Sequence, residues 1–127
     1  MTPSSINWYF GWCLLLSGFL TGAGGGLFFH RDQFLGGYPS FGRRLFRLGH
    51  ISQAALGMLN VLYSLTARQV APPGLALAAS LCFVTGGLSM PLVCFLAGWR
   101  QEFRRLFPVP VAALLLAVLC TLRGGPP

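Results

Sequence analysis

Four stretches of this chain carry no charged residue, and each is long enough to cross a lipid bilayer. They cover residues 8–29, 48–67, 75–99 and 106–122, with lengths of 22, 20, 25 and 17 residues. The hydrocarbon core takes about 20 residues of helix, with roughly 17–25 tolerated. Inside it every backbone N–H and C=O must be satisfied within the segment. The pattern therefore predicts an all-α polytopic membrane protein with four transmembrane helices and a single membrane domain over residues 1–127. Little chain is left for anything else: the connections are 18, 7 and 6 residues long. Charged residues make up 9% of the chain, against about 25% in soluble domains.

The charges follow the connections. Arg31, Arg43, Arg44 and Arg47 lie in the first, and Arg100, Arg104 and Arg105 in the third, while Arg68 and Arg123 fall on the opposite side. Positive residues near span ends are retained in the cytoplasm. The bias places connections one and three inside and both termini outside. This arrangement accounts for the net charge of +7 without invoking nucleic acid. The expected partners of Arg43, Arg44, Arg47, Arg100, Arg104 and Arg105 are anionic lipid headgroups at the cytoplasmic face. Trp8, Tyr9, Phe10 and Trp12 at the outer boundary, with Trp99, Phe103 and Phe107 at the inner one, form the expected aromatic belts. All nine basic residues are arginine, which points to a GC-rich, bacterial source and hence to an inner membrane with periplasmic termini. The first stretch lacks a basic leader and is long for a signal segment, so it is expected to be a retained span.

The two inner connections echo each other. Arg31-Asp32-Gln33-Phe34 and Arg43-Arg44-Leu45-Phe46 correspond to Arg100-Gln101-Glu102-Phe103 and Arg104-Arg105-Leu106-Phe107, with residues 35–42 as an insert. The echo suggests two repeated helical hairpins about an axis along the membrane normal. Its plainer explanation is that basic and aromatic residues recur at any inner boundary.

Span one carries Gly18, Gly22 and Gly26 at intervals of four, and span two carries Gly57. Small residues let helices approach closely in lipid, so these are the expected packing positions. In span two His50, Gln53, Gly57, Asn60 and Ser64 alternate in steps of three and four, which draws one polar seam along a helix face. Such faces point into the bundle or into a water-filled cavity, leaving Leu56, Leu62 and Leu65 nearer the lipid. The seam reads either as interhelical adhesive or as the path of a small oligomeric channel or transporter. Gly87 and Pro91 in span three would then serve as its hinge.

His30 and His50 close span one and open span two. At equal depth they could hold a haem b, which would make the chain a bis-histidine redox subunit. Cys13, Cys82, Cys94 and Cys120 form no close pair and are expected as apolar packing residues. Asp32 and Glu102 are the only carboxylates and form no paired-carboxylate motif. No metal site or catalytic motif is signalled, and an enzyme is not expected.

Gly24-Gly25-Gly26 followed by Arg31, together with Asn60 in span two, resembles the small four-helix fluoride channels. Where that family carries Gly-Gly-Thr-Thr-Phe-Ser-Thr, this chain reads Gly86-Gly87-Leu88-Ser89-Met90-Pro91. Neither an ion path nor its ligands can be transferred, and the family is not assigned. The leading expectation is an accessory or assembly subunit of a membrane complex, partnered by other membrane subunits or by itself.

Overall fold

Proline opens three of the four long helices, where its missing N–H leaves no bond unmade. The computed structural model describes residues 2–70 and 72–125, with residues 68–70 described by backbone alone. Among them the order is α1 (Pro3–Phe29), α2 (Phe41–Val70), α3 (Pro73–Trp99) and α4 (Pro108–Gly124). Single 3₁₀ segments, Phe34–Gly36 and Gln101–Leu106, occupy the first and third connections, and no strand is present among the described residues. The side chain of Arg68, counted above on the outer side, lies outside the described residues. Thr2 caps α1, its Oγ1 accepting from Ser5 N at 3.3 Å. Ser40 caps α2 in the same way, accepting from Arg43 N at 3.2 Å.

Three segments are long and apolar enough to cross a membrane: Pro3–Phe29, Pro73–Trp99 and Gln101–Gly124. The exception is α2, which at 30 residues is the longest helix. Arginines occupy its first two turns and the polar seam follows. α1, α2 and α3 outrun the apolar stretches they contain, whereas α4 keeps the same length of 17 residues, shifted by two. At 27 residues α1 and α3 are about 40 Å long at 1.5 Å per residue, against about 30 Å of hydrocarbon.

Neighbours in sequence are neighbours in space. α1 packs on α2, α2 on α3 and α3 on α4, while α1 touches α3 more lightly and α4 rests almost wholly on α3. The two middle helices are therefore flanked on both sides. This arrangement explains how a helix as polar as α2 is accommodated: Leu45, Ser52, Gln53, Leu56, Asn60, Tyr63 and Ser64 are all buried. It also corrects one expectation. Leu62 and Leu65 face outward, but Leu56 is buried, since α2 is covered on two sides.

Small residues set the closeness of approach. Gly42 of α2 and Gly98 of α3 lie against each other's backbone carbonyls. Gly86 and Gly87 divide between two sides of α3: a Cβ on Gly86 would strike Leu114 of α4, and one on Gly87 would meet Phe10 of α1 and the Asn60 amide of α2. α3 stays helical through the buried Pro91. A core of Tyr63, Ala67, Ala79, Phe83 and Ala117 joins α2, α3 and α4, with Tyr63 Oη donating to Ala76 O at 2.6 Å.

The two hairpins are packed differently. Arg43-Arg44-Leu45-Phe46 belongs to helix α2, whereas its counterpart Arg104-Arg105-Leu106-Phe107 lies in and just after the second 3₁₀ segment. Arg43 is buried and Arg104 is exposed. The first hairpin is joined by polar side chains and glycines, the second by apolar side chains, with Leu114 seated on Gly86.

Candidate functional site

The α1–α2 interface concentrates the polar chemistry of the chain. The two helices run antiparallel, and each presents a seam in alternating steps of three and four. On α1 the seam is Ser4, Asn7, Gly11, Leu14, Gly18 and Gly25, all buried. On α2 it is Phe46, His50, Gln53, Gly57, Asn60 and Ser64. Placing a Cβ on each glycine identifies the partners. Gly25 lies against Phe46, Gly22 against His50, Gly18 against Gln53 and Gly11 against the Gly57 carbonyl. Near the N-terminus of α1, Asn7 Nδ2 donates to Asn60 Oδ1 at 2.7 Å.

Two polar clusters punctuate the seam. In the one nearer the N-terminus of α1, Asn7, Asn60 and Ser80 are fully buried and tie three helices together. Asn60 Nδ2 donates to Leu56 O at 2.8 Å and to Phe83 O at 3.4 Å. Ser80 Oγ donates to Asn7 Oδ1. In the second cluster Thr21 Oγ1 donates to Gln53 Oε1 at 2.6 Å, and Gln53 Nε2 donates to Ser17 Oγ at 3.0 Å. Ser64 turns onto its own helix, donating to Val61 O at 2.5 Å. Buried polar groups are expensive unless bonded, and here Gln53, Asn60 and Ser64 all find partners within the bundle.

Three sequence expectations are corrected. Gly26 is exposed with open space beside it, and Gly25 makes the contact instead. Steps of four advance about 40° around a helix of 3.6 residues per turn. A stripe spaced by four therefore drifts off the interface, while alternating three and four stays on it. The histidines are not at equal depth. The His50 ring lies against Gly22, two turns of α1 before the exposed His30, or about 12 Å at 1.5 Å per residue. Separated by that depth, the pair does not fit a shared haem. His50 Nδ1 is buried without a hydrogen-bond partner.

Arg43 is the third correction. It is 2% exposed and faces the end of α1, not a headgroup. One terminal nitrogen donates to Phe29 O at 2.9 Å and to Arg31 O at 2.8 Å, and the guanidinium carbon lies 4.9 Å from the centroid of the Phe29 ring. Carbonyls at a helix C-terminus lack partners and carry partial negative charge. A buried cation there satisfies both needs. Arg44, Arg100, Arg104 and Arg105 remain exposed, and Arg47 is half-buried beside Tyr38.

Asn7 and Ser80 escaped the sequence reading. Asn7 lies just outside the uncharged stretch, so apolarity alone does not single it out. The seam of α1 does reveal it, since Asn7, Gly11, Leu14 and Gly18 follow one another in steps of four, three and four. Nothing in the sequence singles out Ser80 from other serines in spans.

A second feature lies near the C-terminal ends of α1 and α3, where an apolar cavity of about 460 Å³ is lined by Thr21, Leu35, Gly42, Phe46, Phe95, Gly98 and Trp99. Among the described residues no three His, Cys, Asp or Glu side chains come together as a metal site. No protein-family model matches the chain, and no similar curated protein or solved structure was found.

Proposed function

We propose that the chain is a four-span membrane protein of a bacterial inner membrane and acts as a structural subunit, assembling with other membrane proteins or with itself. In this reading α2 is the fourth span, carried through the bilayer because α1 and α3 cover its polar face. Connections one and three face the cytoplasm. One observation carries the structural role: the polar side chains of Gln53 and Asn60 are spent on hydrogen bonds to neighbouring helices. A seam closed in this way holds helices together and leaves little to conduct along.

The outward surface supports the same reading. Phe19, Leu20 and Leu27 of α1, Leu88 and Leu92 of α3, and Leu115, Leu119 and Leu122 of α4 are all exposed. These faces suit lipid and the flanks of other spans. The test is gentle extraction of the tagged protein from its native membrane, followed by native mass spectrometry. A fixed-ratio complex with another membrane protein, or a defined homo-oligomer, is the expected result. A lone chain under conditions that preserve known complexes, with no membrane complex altered on its deletion, refutes the proposal. Membrane-impermeant labelling of tags at both ends checks topology: both should label in cells with a permeabilised outer membrane and an intact inner one.

A further inference from the structure

We infer that the inner cavity holds one acyl chain of an anionic phospholipid, making this a specific lipid site and not general contact with the bilayer. The inference rests on the membrane reading above. Its volume of about 460 Å³ falls in the usual range for small-molecule sites, about 300–1,000 Å³. The lining is aromatic and aliphatic, with Thr21 the only hydroxyl, and that hydroxyl is committed to Gln53. Such walls offer nothing to a polar ligand and suit a hydrocarbon tail.

Position and charge select the lipid. The cavity is lined from α1, α2 and α3 and from Leu35 of the first connection. Leu35, Gly42 and Trp99, at the helix ends that the membrane reading places inside, form the mouth of the proposed site. Phe95 lies about 6 Å deeper along α3, and Thr21 about 12 Å deeper along α1 than Phe29, at 1.5 Å per residue. A tail entering from the inner leaflet would lie along that depth with its headgroup at the mouth. Two exposed arginines stand there on aromatic supports. The guanidinium carbon of Arg100 is 5.9 Å from the Trp99 ring centroid, and that of Arg104 is 5.3 Å from the Phe41 ring centroid. Arg105 adds a third cation in the same turn against Glu102 alone. A phosphodiester carrying net negative charge matches that balance, and a zwitterionic headgroup matches it less well.

The experiment reconstitutes the full chain in vesicles of phosphatidylglycerol and phosphatidylcholine in equal parts. Retained lipid is then read by native mass spectrometry after release into mild detergent. One bound phosphatidylglycerol per chain is expected, in clear preference to phosphatidylcholine. Arg100→Gln with Arg104→Gln should lower that preference about tenfold, the worth of one charge-assisted hydrogen bond. Leu35→Phe, which narrows the mouth, should lower retention of both lipids. Melting curves of the variants confirm that they remain folded. Equal retention of the two lipids, unchanged retention in the double variant, or a second protein chain seated against Trp99 would each overturn the inference. Resistance to alkaline extraction from the vesicles separates the two levels. An inserted chain without lipid preference removes only the lipid site, whereas an extractable chain removes the membrane reading as well.

Discussion

Asn60 shows how much a single buried amide controls. Its oxygen receives Asn7 and its nitrogen reaches two carbonyls, so one side chain serves α1, α2 and α3. Asn60→Ala removes the 2.7 Å acceptor of the buried Asn7 Nδ2, leaving it only the long contact to Ser80 O at 3.5 Å. The expected loss is about 1–3 kcal/mol of stability in micelles, measured by denaturing-detergent titration. Removing both amides together, as Asn7→Leu with Asn60→Leu, should cost less than the sum of the single changes. Glycines make the complementary test. A Cβ on Gly11 would stand 2.7 Å from Gly57 O and 2.9 Å from Val61 N. Gly11→Ala should therefore cost about 1–3 kcal/mol through overpacking. Gly26→Ala meets nothing within 4 Å and should leave stability unchanged or raise it by up to about 1 kcal/mol through helix propensity. These positions also mark what was legible in advance. The α2 seam could be read directly, because polar residues stand out in apolar sequence. The α1 seam is harder to read because glycines are frequent there, and only helical drift separates the packed Gly18 and Gly22 from the open Gly26.

At the scale of elements, existence and order of the helices could be read from apolarity, while their ends could not. α2 starts at Phe41, seven residues before the uncharged stretch. A cap at Ser40 and an arginine that turns back onto α1 extend the helix into sequence too basic to look like a span. The intervening loop has a defined shape: Leu35, Gly36 and Gly37 all have positive φ. Glycine takes that conformation freely, and leucine does so only under strain. Arg43 holds the loop from beneath through the carbonyls of Phe29 and Arg31. Arg43→Lys keeps the charge but not the planar group that stacks on Phe29. The expected result is a loss of about 1–3 kcal/mol and faster amide exchange over residues 29–40, with exchange at residues 56–64 unaffected. Faster exchange at both places would mean that Arg43 supports the whole hairpin and not the end of α1 alone.

For the whole molecule, the arrangement in space follows the order in sequence, and each long helix has its main partner next to it in the chain. Local contacts of this kind favour rapid assembly. The spacing of polar residues along α1 and α2 adds a unique alignment. Sliding one helix past the other by seven residues would set Asn60 free of Asn7 and bring Gln53 away from Ser17 and Thr21. Buried polar groups serve best as markers of register in this way. α4 has no such marker. It meets α3 through Ala117 and Leu114 and shows its remaining faces outward. Hydrogen exchange in bicelles should accordingly open α4 before any other helix, with Ala112–Leu119 losing protection while Leu56–Ser64 keeps it. Simultaneous opening of both regions would show one cooperative body. If α4 does open first, it becomes the leaf of a door hung on the turn Gln101–Leu106. A neighbouring membrane protein could then take its place against α3 without disturbing the three helices behind it.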